Sequence, residues 1–450
     1  MHGRAFSVSL FVALAFAACG GDDGGKSDGD GGLDAALEID ACVGLGCQQV
    51  SCMGGGTTSI SGTVYAPNGT LPLYNATVYV PLSAVGPLVE GAQCDRCGAT
   101  LQGNPLVQTV TDTEGRFTLD NMPVGADIPV VIQIGKWRRQ IVIPQVASCV
   151  DSPLAASVTR LPKNKSEGDI PLMALTTGGA DSLECLLRKI GLDDAEFTAA
   201  GGDGRVNLFT GSGGTPRFAA NLNGGAAFTN ATTLWDTVEH LRAYDVVFMS
   251  CEGGQNPGTK GVTALQAMSD YSDLGGRVFM SHWHNYWVQN GPGEIASVAQ
   301  FDFQNDIGDV TADVNTSFAR GPDFADWLLN VGASTTLGKV AITDSQHTIN
   351  SIDPVKADSW ISVPAAQAGG NPSIQFLQFT TPLTEEPTNR CGKQVVSDIH
   401  VSTGDDSADN IRFPNGCTTT GLTPQEKILA FMIFDIASCV GPPIGKVAAH

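Results

Sequence analysis

The sequence predicts a multidomain protein in which a small antiparallel β-sandwich precedes an α/β domain with a mostly parallel sheet. From residue 57 to 165, runs such as TTSISGTVYAP alternate apolar with hydroxyl residues and are separated by Gly, Pro and Asn, as in short strands joined by turns. From residue 166 to 440, apolar runs such as IPLMALTTGG alternate with helical segments such as ADSLECLLRKIG, which favours parallel strands covered by helices. The length of 450 residues agrees with more than one domain.

The N-terminus has the composition of a signal peptide, which we assign to residues 1–18. The basic stretch MHGR precedes the apolar stretch AFSVSLFVALAFAA, which is too short to span a bilayer as a helix. Ala17 and Ala18 precede Cys19, and this arrangement resembles a bacterial lipobox. The resemblance implies cleavage before Cys19 and a diacylglycerol on its sulfur. The alternative is an ordinary signal peptide followed by an incidental cysteine.

The segments around the folded body also indicate export to the cell envelope. Residues 19–41 are rich in Gly and Asp, which predicts a flexible, self-repelling tether. We expect a Cys-rich linker at residues 42–56 and a C-terminal tail at residues 441–450. Gly20, in place of Asp after the cysteine, favours the outer membrane over the inner membrane.

Charge and composition limit the partners. The net charge of −21 leaves no basic stripe to neutralise phosphates, which argues against nucleic acid. The expected partners are therefore the membrane, through the lipid anchor, and a glycan or an envelope protein. No cofactor is predicted.

The cysteines fit an exported protein that forms disulfides. Twelve cysteines are present, so an odd number remains once Cys19 is set aside, and at least one thiol stays free. Cys185 and Cys251 lie in apolar segments and are expected to be buried, unreactive thiols. The motif CDRC at residues 94–97 has no second CxxC, which favours a disulfide over a redox pair or half a zinc site. The disulfide candidates are Cys94, Cys97, Cys391 and Cys417.

The β-rich part carries a family resemblance. SISGTVYAPNGTLPLYNATVYVP followed by TVTDTEGRFTLDNMPVG resembles the carboxypeptidase-regulatory-like domain. The resemblance covers residues 57–165 and implies a prealbumin-like sandwich, grouped with carbohydrate-binding-like folds, that brings no catalytic residue. The basic and aromatic stretch GKWRRQ at residues 135–140 could contact acidic glycans or lipid headgroups; the alternative is a solvated hairpin turn.

The α/β part resembles the class I glutamine-amidotransferase-like fold. The resemblance lies in the succession LRAYDVVFMSCEGG, DYSDLGGRVFMSH and GKQVVSDIHVS. Active members place a Cys on the turn after the central strand, and a His at the end of a late strand with a Glu two residues on. Here the turn holds Ser281 or His282, His400 matches the histidine, and Ser402 replaces the acid. The resemblance therefore implies the fold without a working Cys-His-Glu triad.

The chain as a whole, with TTGGADSLECLLRKIG and SHWHNYWVQNG, resembles a group of myxobacterial surface lipoproteins. Some members of that group carry the name of the tryptophan synthase α chain. That enzyme needs eight βα units and a pair of acid/base carboxylates, which cannot be laid onto a chain with this β-rich half.

SHWHNYWVQNG is the stretch with the most potentially reactive side chains, and it allows two enzymatic interpretations. In the first, Ser281 is a nucleophile, His400 its base and Asp398 the orienting acid, although Asp398 and His400 would lie side by side on one strand. In the second, His282 and His284 point to one face of a strand and bind zinc. The third ligand would be His347, His400, Glu252 or Asp398.

The positions of these residues also predict a ligand pocket. Ligands of open α/β sheets bind at the carboxyl ends of the strands, where the histidines and the loop SCEGGQN at residues 250–256 follow strand-like runs. The glycines of that loop could bring backbone N–H groups to an anion, or form an ordinary turn. A purely structural role for the histidines in a polar core is the leading alternative. The pocket candidates are Glu252, Gly253, Gly254, His282, Trp283, His284, Asn285 and His400.

Together these patterns favour a lipid-anchored cell-envelope protein with a non-catalytic binding or structural role, which recognises carbohydrate or protein. The alternative is a hydrolase or metal-dependent enzyme. Its site would contain Ser281, His282, His284 and His400.

Overall fold

The computed structural model describes residues 44–401 and 404–441. The predicted signal peptide, Cys19, the acidic tether and nearly all of the predicted C-terminal tail lie outside the described residues. None of the described helices is both long and apolar enough to cross a bilayer. Because Cys19 lies outside the described residues, the lipid anchor stays a prediction.

Two small sheets form the N-terminal part of the described chain. Their strands are β1 (Ser59–Thr63), β2 (Thr77–Pro81), β3 (Pro105–Val110), β4 (Arg116–Asp120), β5 (Gly125–Ile134), β6 (Trp137–Val146) and β7 (Asp151–Pro153). One sheet has the order β4-β1-β7 and the other β3-β2-β5-β6. In β4, Phe117 and Leu119 are buried between exposed neighbours, because successive side chains of a strand point to opposite faces.

The hairpin of β5 and β6 turns at Gly135, as the sequence predicts. A side chain is excluded there because φ is +54° and the Ala437 carbonyl oxygen occupies the place of a Cβ. Both interpretations of the hairpin tip are wrong, since the tip is buried against the α/β part. Lys136 pairs with Asp245, and Arg138 is 1% exposed.

The α/β part is built on one sheet of eleven strands. They are β8 (Met173–Thr177), β9 (Phe197–Ala199), β10 (Val206–Thr210), β11 (Thr229–Asn230), β12 (Val246–Met249), β13 (Arg277–Ser281), β15 (Gly308–Val314), β16 (Lys339–Ser345), β18 (Ala357–Val363), β19 (Ser373–Thr381) and β20 (Gly392–Ser397). Their order is β11-β10-β8-β12-β13-β20-β19-β18-β15-β16, and β9 pairs with β10. A separate ribbon pairs β14 (Ala299–Phe301) with β17 (Ile349–Ile352).

The large sheet has a parallel and an antiparallel half. In the order above, the strands from β11 to β20 pair in parallel. Every residue of the central strands β12 and β13 is buried. Burial on both faces explains why these strands read as continuous apolar runs. Strands β19, β18, β15 and β16 pair antiparallel. The protein is thus a mixed α/β structure.

Seven α-helices complete the described fold. They are α1 (Ala156–Thr159), α2 (Leu183–Lys189), α3 (Val238–Arg242), α4 (Val262–Asp273), α5 (Tyr286–Gln289), α6 (Gly321–Asn330) and α7 (Pro424–Ala437). Helix α7 begins with a capping box between Thr423 and Glu426, which satisfies N–H groups that the first turn leaves free. Most of its residues are buried, so it is a core helix.

Helix α7 joins the small sheets to the large one. Its Phe431 ring lies 6.5 Å from that of Tyr74 and 5.0 Å from that of Trp327, while Phe434 lies 5.6 Å from Trp137. The described residues accordingly cluster as one compact unit. The predicted domain boundary near residue 165 lies inside this unit.

Two of the four described disulfides, Cys94–Cys391 and Cys97–Cys439, link the N-terminal β part to the α/β part. The described pairs are Cys52–Cys149, Cys94–Cys391, Cys97–Cys439 and Cys185–Cys417. All four cysteines predicted to form disulfides do so, but the two cysteines of CDRC pair with distant partners and not with each other. The prediction that Cys185 is a free thiol is wrong, because it bonds to Cys417. Cys251 is free and buried, as predicted.

Candidate functional site

Three adjacent parallel strands bring the candidate residues together. Cys251 follows β12, His282 directly follows β13 and His400 follows β20. The carboxyl ends of these strands meet at one edge of the sheet, which is where open α/β sheets bind their ligands. The register of the sheet thus places a thiol and two imidazoles side by side.

The three side chains form a compact cluster. One ligand atom from each of Cys251, His282 and His400 lies within 4.8 Å of the other two. The Cys251 Sγ is 3.6 Å from the His282 Nδ1, and the two imidazole centroids are 5.0 Å apart. Cys251 and His282 are buried and His400 is half-buried. A thiol and two imidazoles at this spacing are the side chains that Zn²⁺ accepts.

The turn at His282 creates this arrangement. Its φ is +40°, and the chain passes there from β13 into a 3₁₀ helix over His282–Asn285. A non-glycine residue with positive φ is strained and is held only where its surroundings fix it, often at functional sites. His282 thus stands at the turn directly after β13.

Burial keeps Cys251 and His282 uncharged in the absence of an ion. It lowers the pKa of His282 to about 3, with a smaller contribution from nearby His400. Burial also raises the pKa of the Cys251 thiol to about 12. Two hydrogen bonds from backbone N–H groups oppose this shift, and one of them is the 3.5 Å bond from Gly253. A neutral, buried thiol is a poor nucleophile, because the thiolate is the reactive form.

His284 does not belong to the cluster. Its Nε2 lies 3.0 Å from the Ser250 carbonyl oxygen, to which it donates, and its Nδ1 accepts a hydrogen bond of 3.2 Å from the Trp287 indole. Both ring nitrogens are therefore occupied. The predicted His282–His284 metal pair is not formed, because β13 ends at Ser281 and the two histidines lie in a helical turn, where they diverge.

The predicted serine triad is not assembled either. The buried Ser281 hydroxyl donates to Asp181 Oδ2 at 2.5 Å, not to a histidine. Asp398 accepts from the Thr348 N–H at 2.8 Å and from its hydroxyl at 2.7 Å. Asp398 and His400 also lie beyond the end of β20, not along it. Ser402, which replaces the family's acid, lies outside the described residues.

The glycine loop after β12 is braced from within. Glu252 binds the buried Lys260 ammonium at 2.6 Å, accepts from Asn256 at 3.1 Å and accepts from the Ser212 N–H at 2.9 Å. Gly253 adopts φ +76°, and Gly254 needs no such conformation. The carboxylate at the centre of this loop makes it unsuitable for an anion.

The remaining pocket candidates lie around the His282 ring. Trp283 is half-buried, with its ring 4.6 Å from that of His282 and 5.2 Å from that of Phe303. Asn285 is buried and accepts a hydrogen bond of 2.9 Å from Gln255. The Nε2 of His347 contacts Asn350 and the Pro372 carbonyl, and its buried Nδ1 has no partner among the described residues. His347 is not one of the three residues of the cluster.

A cavity of about 200 Å³ adjoins the cluster at His400. Its wall includes Asp181, whose Oδ1 accepts from the N–H groups of Ser182 and Val401, both at 2.9 Å. His400 Nε2 is buried without a hydrogen-bond partner among the described residues. This nitrogen is therefore available to accept a ligand.

The sequence analysis missed Cys251 and Asp181 as site residues. Cys251 was interpreted as inert because it follows an apolar run, although SCEGG follows β12 just as SHWH follows β13. That parallel was the available signal. Asp181 had no comparable signal, since its role depends on the pairing of β8 with β12.

Comparison with known proteins gives no family assignment: no family model and no curated protein matches the chain. A solved structure of a putative ThuA-like protein from Bacteroides uniformis is similar over 58% of this chain and 89% of that one, at 9% identity and a TM-score of 0.33. A type II cohesin–X-dockerin complex from Acetivibrio cellulolyticus is similar over 32% of this chain and 78% of that chain, at 17% identity and a TM-score of 0.16. Neither similarity is close enough to assign a function.

Proposed function

We propose that the protein is a lipid-anchored cell-envelope protein that binds a transition-metal ion, with Zn²⁺ as the first candidate. The ligands are Cys251, His282 and His400. The observation that carries the proposal is the cluster of their three ligand atoms within 4.8 Å. This assigns a ligand to the binding role that the sequence favours.

The dimensions of the cluster support this proposal. Zn–S and Zn–N bonds of about 2.3 and 2.0 Å put tetrahedral ligand atoms roughly 3.3–3.6 Å apart. The distance of 3.6 Å between the Cys251 Sγ and the His282 Nδ1 already meets that requirement. His400 is the more exposed of the two histidines and needs only a small movement to complete the set.

Disulfide bonding supports placement outside the cytosol. Four disulfides link described residues, and disulfides persist in oxidising compartments. The anchor itself rests on the sequence around Cys19. A Cys19→Ala substitution should move the protein from the membrane fraction to the soluble fraction. Retention of the variant in the membrane would contradict anchoring through Cys19.

Metal analysis of the purified, detergent-solubilised full chain tests the metal site. After incubation with Zn²⁺ and gel filtration, we expect one ion per chain in the wild type. Cys251→Ser and His282→Ala should lose it, because removal of a direct ligand weakens binding by more than the 10–100-fold contributed by outer partners. His240→Ala is the matched control, since His240 is an exposed histidine paired with Asp236. Equal zinc in all four proteins, or none in the wild type, would contradict the proposal.

A metal-dependent hydrolase is the second candidate function. The cavity beside His400 favours it, because catalytic zinc sites keep a position open for water or substrate. A screen of esters and amides with the zinc-loaded protein, and with Cys251→Ser as control, separates the two. Turnover that requires Cys251 would favour the enzyme, whereas bound zinc without turnover would favour the binding protein.

A further inference from the structure

The cavity beside His400 lies over the carboxyl ends of the parallel strands. The loop after β8 forms one wall, the end of β16 another, and the segment after β20 a third. The lining residues are Gly179, Ala180, Asp181, Ser182, Thr343, Asp344, His400, Val401, Asp405, Asp406, Ser407 and Gln425. The cavity therefore gives solvent a route to one of the proposed metal ligands.

The wall of this cavity is strongly acidic. It contains four aspartates, and no lysine or arginine belongs to its described lining. Within the described part of the chain, only Asp405 has a cationic partner, the buried Lys189 ammonium at 2.6 Å. Asp181 is satisfied by neutral donors, and Asp344 and Asp406 are exposed. Three carboxylates are thus left without a counter-charge.

His400 connects this acidic wall to the metal site. It lines the cavity, and its buried Nε2 has no partner among the described residues. Three protein ligands leave the fourth position of a tetrahedral zinc ion for an outside molecule. The cavity is the volume from which such a molecule can approach.

We infer that the metal site receives a small ligand that carries a positively charged amino group beside a metal-coordinating oxygen. This inference rests on the proposed metal site and names the class of its ligand. Carboxylates that line a concave wall concentrate cations there, whereas an anionic ligand is repelled by the same wall. The oxygen takes the open metal position, and the ammonium group lies against the exposed carboxylates of Asp344 and Asp406.

Three hydroxamates that differ in charge test this. Hydroxamates coordinate metal ions through oxygen, and Co²⁺ in place of Zn²⁺ makes their binding visible in the absorption spectrum. We expect the full-length cobalt-loaded protein to bind glycine hydroxamate about 10-fold more tightly than acetohydroxamate, and succinic monohydroxamate the most weakly. The differences among the three affinities should shrink as salt rises from about 0.05 to 0.5 M, because salt screens the electrostatic effect of the carboxylates.

Two variants locate the effect. In Asp344→Asn/Asp406→Asn the three affinities should converge while the cobalt content is unchanged, since neither residue is a proposed metal ligand. Asp313→Asn, an exposed aspartate outside the cavity wall, is the control for net charge and should keep the preference.

Equal affinities in the wild type, a preference for the anion, or no hydroxamate binding at full cobalt occupancy would each overturn the inference and leave the metal site standing. An absence of cobalt would overturn the metal site and the inference together. Metal content measured on the same samples distinguishes these failures.

Discussion

The two ends of the parallel strands differ in how their polar side chains are paired. At the amino ends, Arg277 at the start of β13 donates to the Cys391 carbonyl, and Lys393 at the start of β20 donates to the Asp435 carbonyl at 2.7 Å and to Ser438 at 3.0 Å. At the carboxyl ends, the cluster that follows the same strands includes His400, whose Nε2 has no partner among the described residues. Buried cations with polar partners stabilise a fold, whereas an imidazole nitrogen without one can accept a ligand.

The largest expected effect concerns the disulfides at the amino-end edge. Cys97→Ser/Cys439→Ser opens a link between residues 342 positions apart. Because such a link restricts the unfolded chain, its loss should cost about 4 kcal/mol of unfolding free energy, measured by denaturant titration. Zinc stoichiometry should not change. A variant that lost zinc but kept its stability would contradict this account, in which the amino-end edge stabilises the fold and the carboxyl-end edge binds the ion.

The buried carboxylate at the same edge should have the next largest effect. Asp435 pairs with Arg320, which remains charged although burial lowers its pKa to about 10. Asp435→Asn leaves this cation without its nearest counter-charge and should cost about 3 kcal/mol in the same titration.

The exposed pair of Asp313 with Lys339 supplies the control for that variant. Asp313→Asn should cost less than about 1 kcal/mol, since solvent screens an exposed pair. Equal losses of unfolding free energy in Asp435→Asn and Asp313→Asn would contradict the distinction between a buried and an exposed ion pair.

A pH effect should come from Glu184 near the carboxyl-end edge. Burial raises its pKa to about 7, although Ser407 donates a hydrogen bond to it. The folded state therefore holds this proton more tightly than the unfolded state, so stability is full below about pH 4.5 and falls as pH rises through 7. The loss is on the order of 2–3 kcal/mol. Glu184→Gln should flatten the decline in unfolding free energy between pH 5 and 8.

Glu167 provides a control of opposite sign. A hydrogen bond from Arg160 is the main cause that lowers its pKa to about 2, so its contribution is present at neutral pH and is lost in acid. Glu167→Gln should therefore alter stability below pH 5 and leave the slope from pH 5 to 8 unchanged. A Glu184→Gln profile parallel to the wild type would contradict the assignment.

The smallest effect should appear at the cluster in zinc-free buffer. Cys251→Ser replaces a buried thiol by a smaller hydroxyl that can still accept the Gly253 N–H. We expect a change within about 1 kcal/mol, because no strong interaction is lost without the ion. A much larger loss would show that Cys251 serves packing, as the sequence alone suggested.

Much of the parallel half could be predicted from the sequence. The apolar run of β12 and the helical spacing of α4 are strong local signals for a strand and a helix. The stretch ATTLWDTVEHLRAY also has helical spacing, yet only Val238–Arg242 is α-helical. Side-chain caps at Asn230 and Thr237 divide it into separate turns. Local hydrogen bonds of this kind compete with a continuous helix.

The antiparallel half was missed, although β16 carries an alternating burial pattern. The edge of the sheet at which the candidate cluster lies could be predicted from the sequence, but the set of three residues that forms the cluster could not. The HxH interpretation assumed that β13 continued to His284, and the positive φ of His282 ends the strand earlier. Cys251 joins His282 only because β12 pairs with β13 in parallel, and a single sequence does not specify strand pairing.

X-ray absorption at the zinc edge tests the central claim most directly. For the zinc-loaded wild-type protein, we predict one sulfur at about 2.3 Å and two imidazole nitrogens at about 2.0 Å. A bound ion with only oxygen and nitrogen neighbours in the wild type would contradict the assignment of Cys251, His282 and His400 as its ligands.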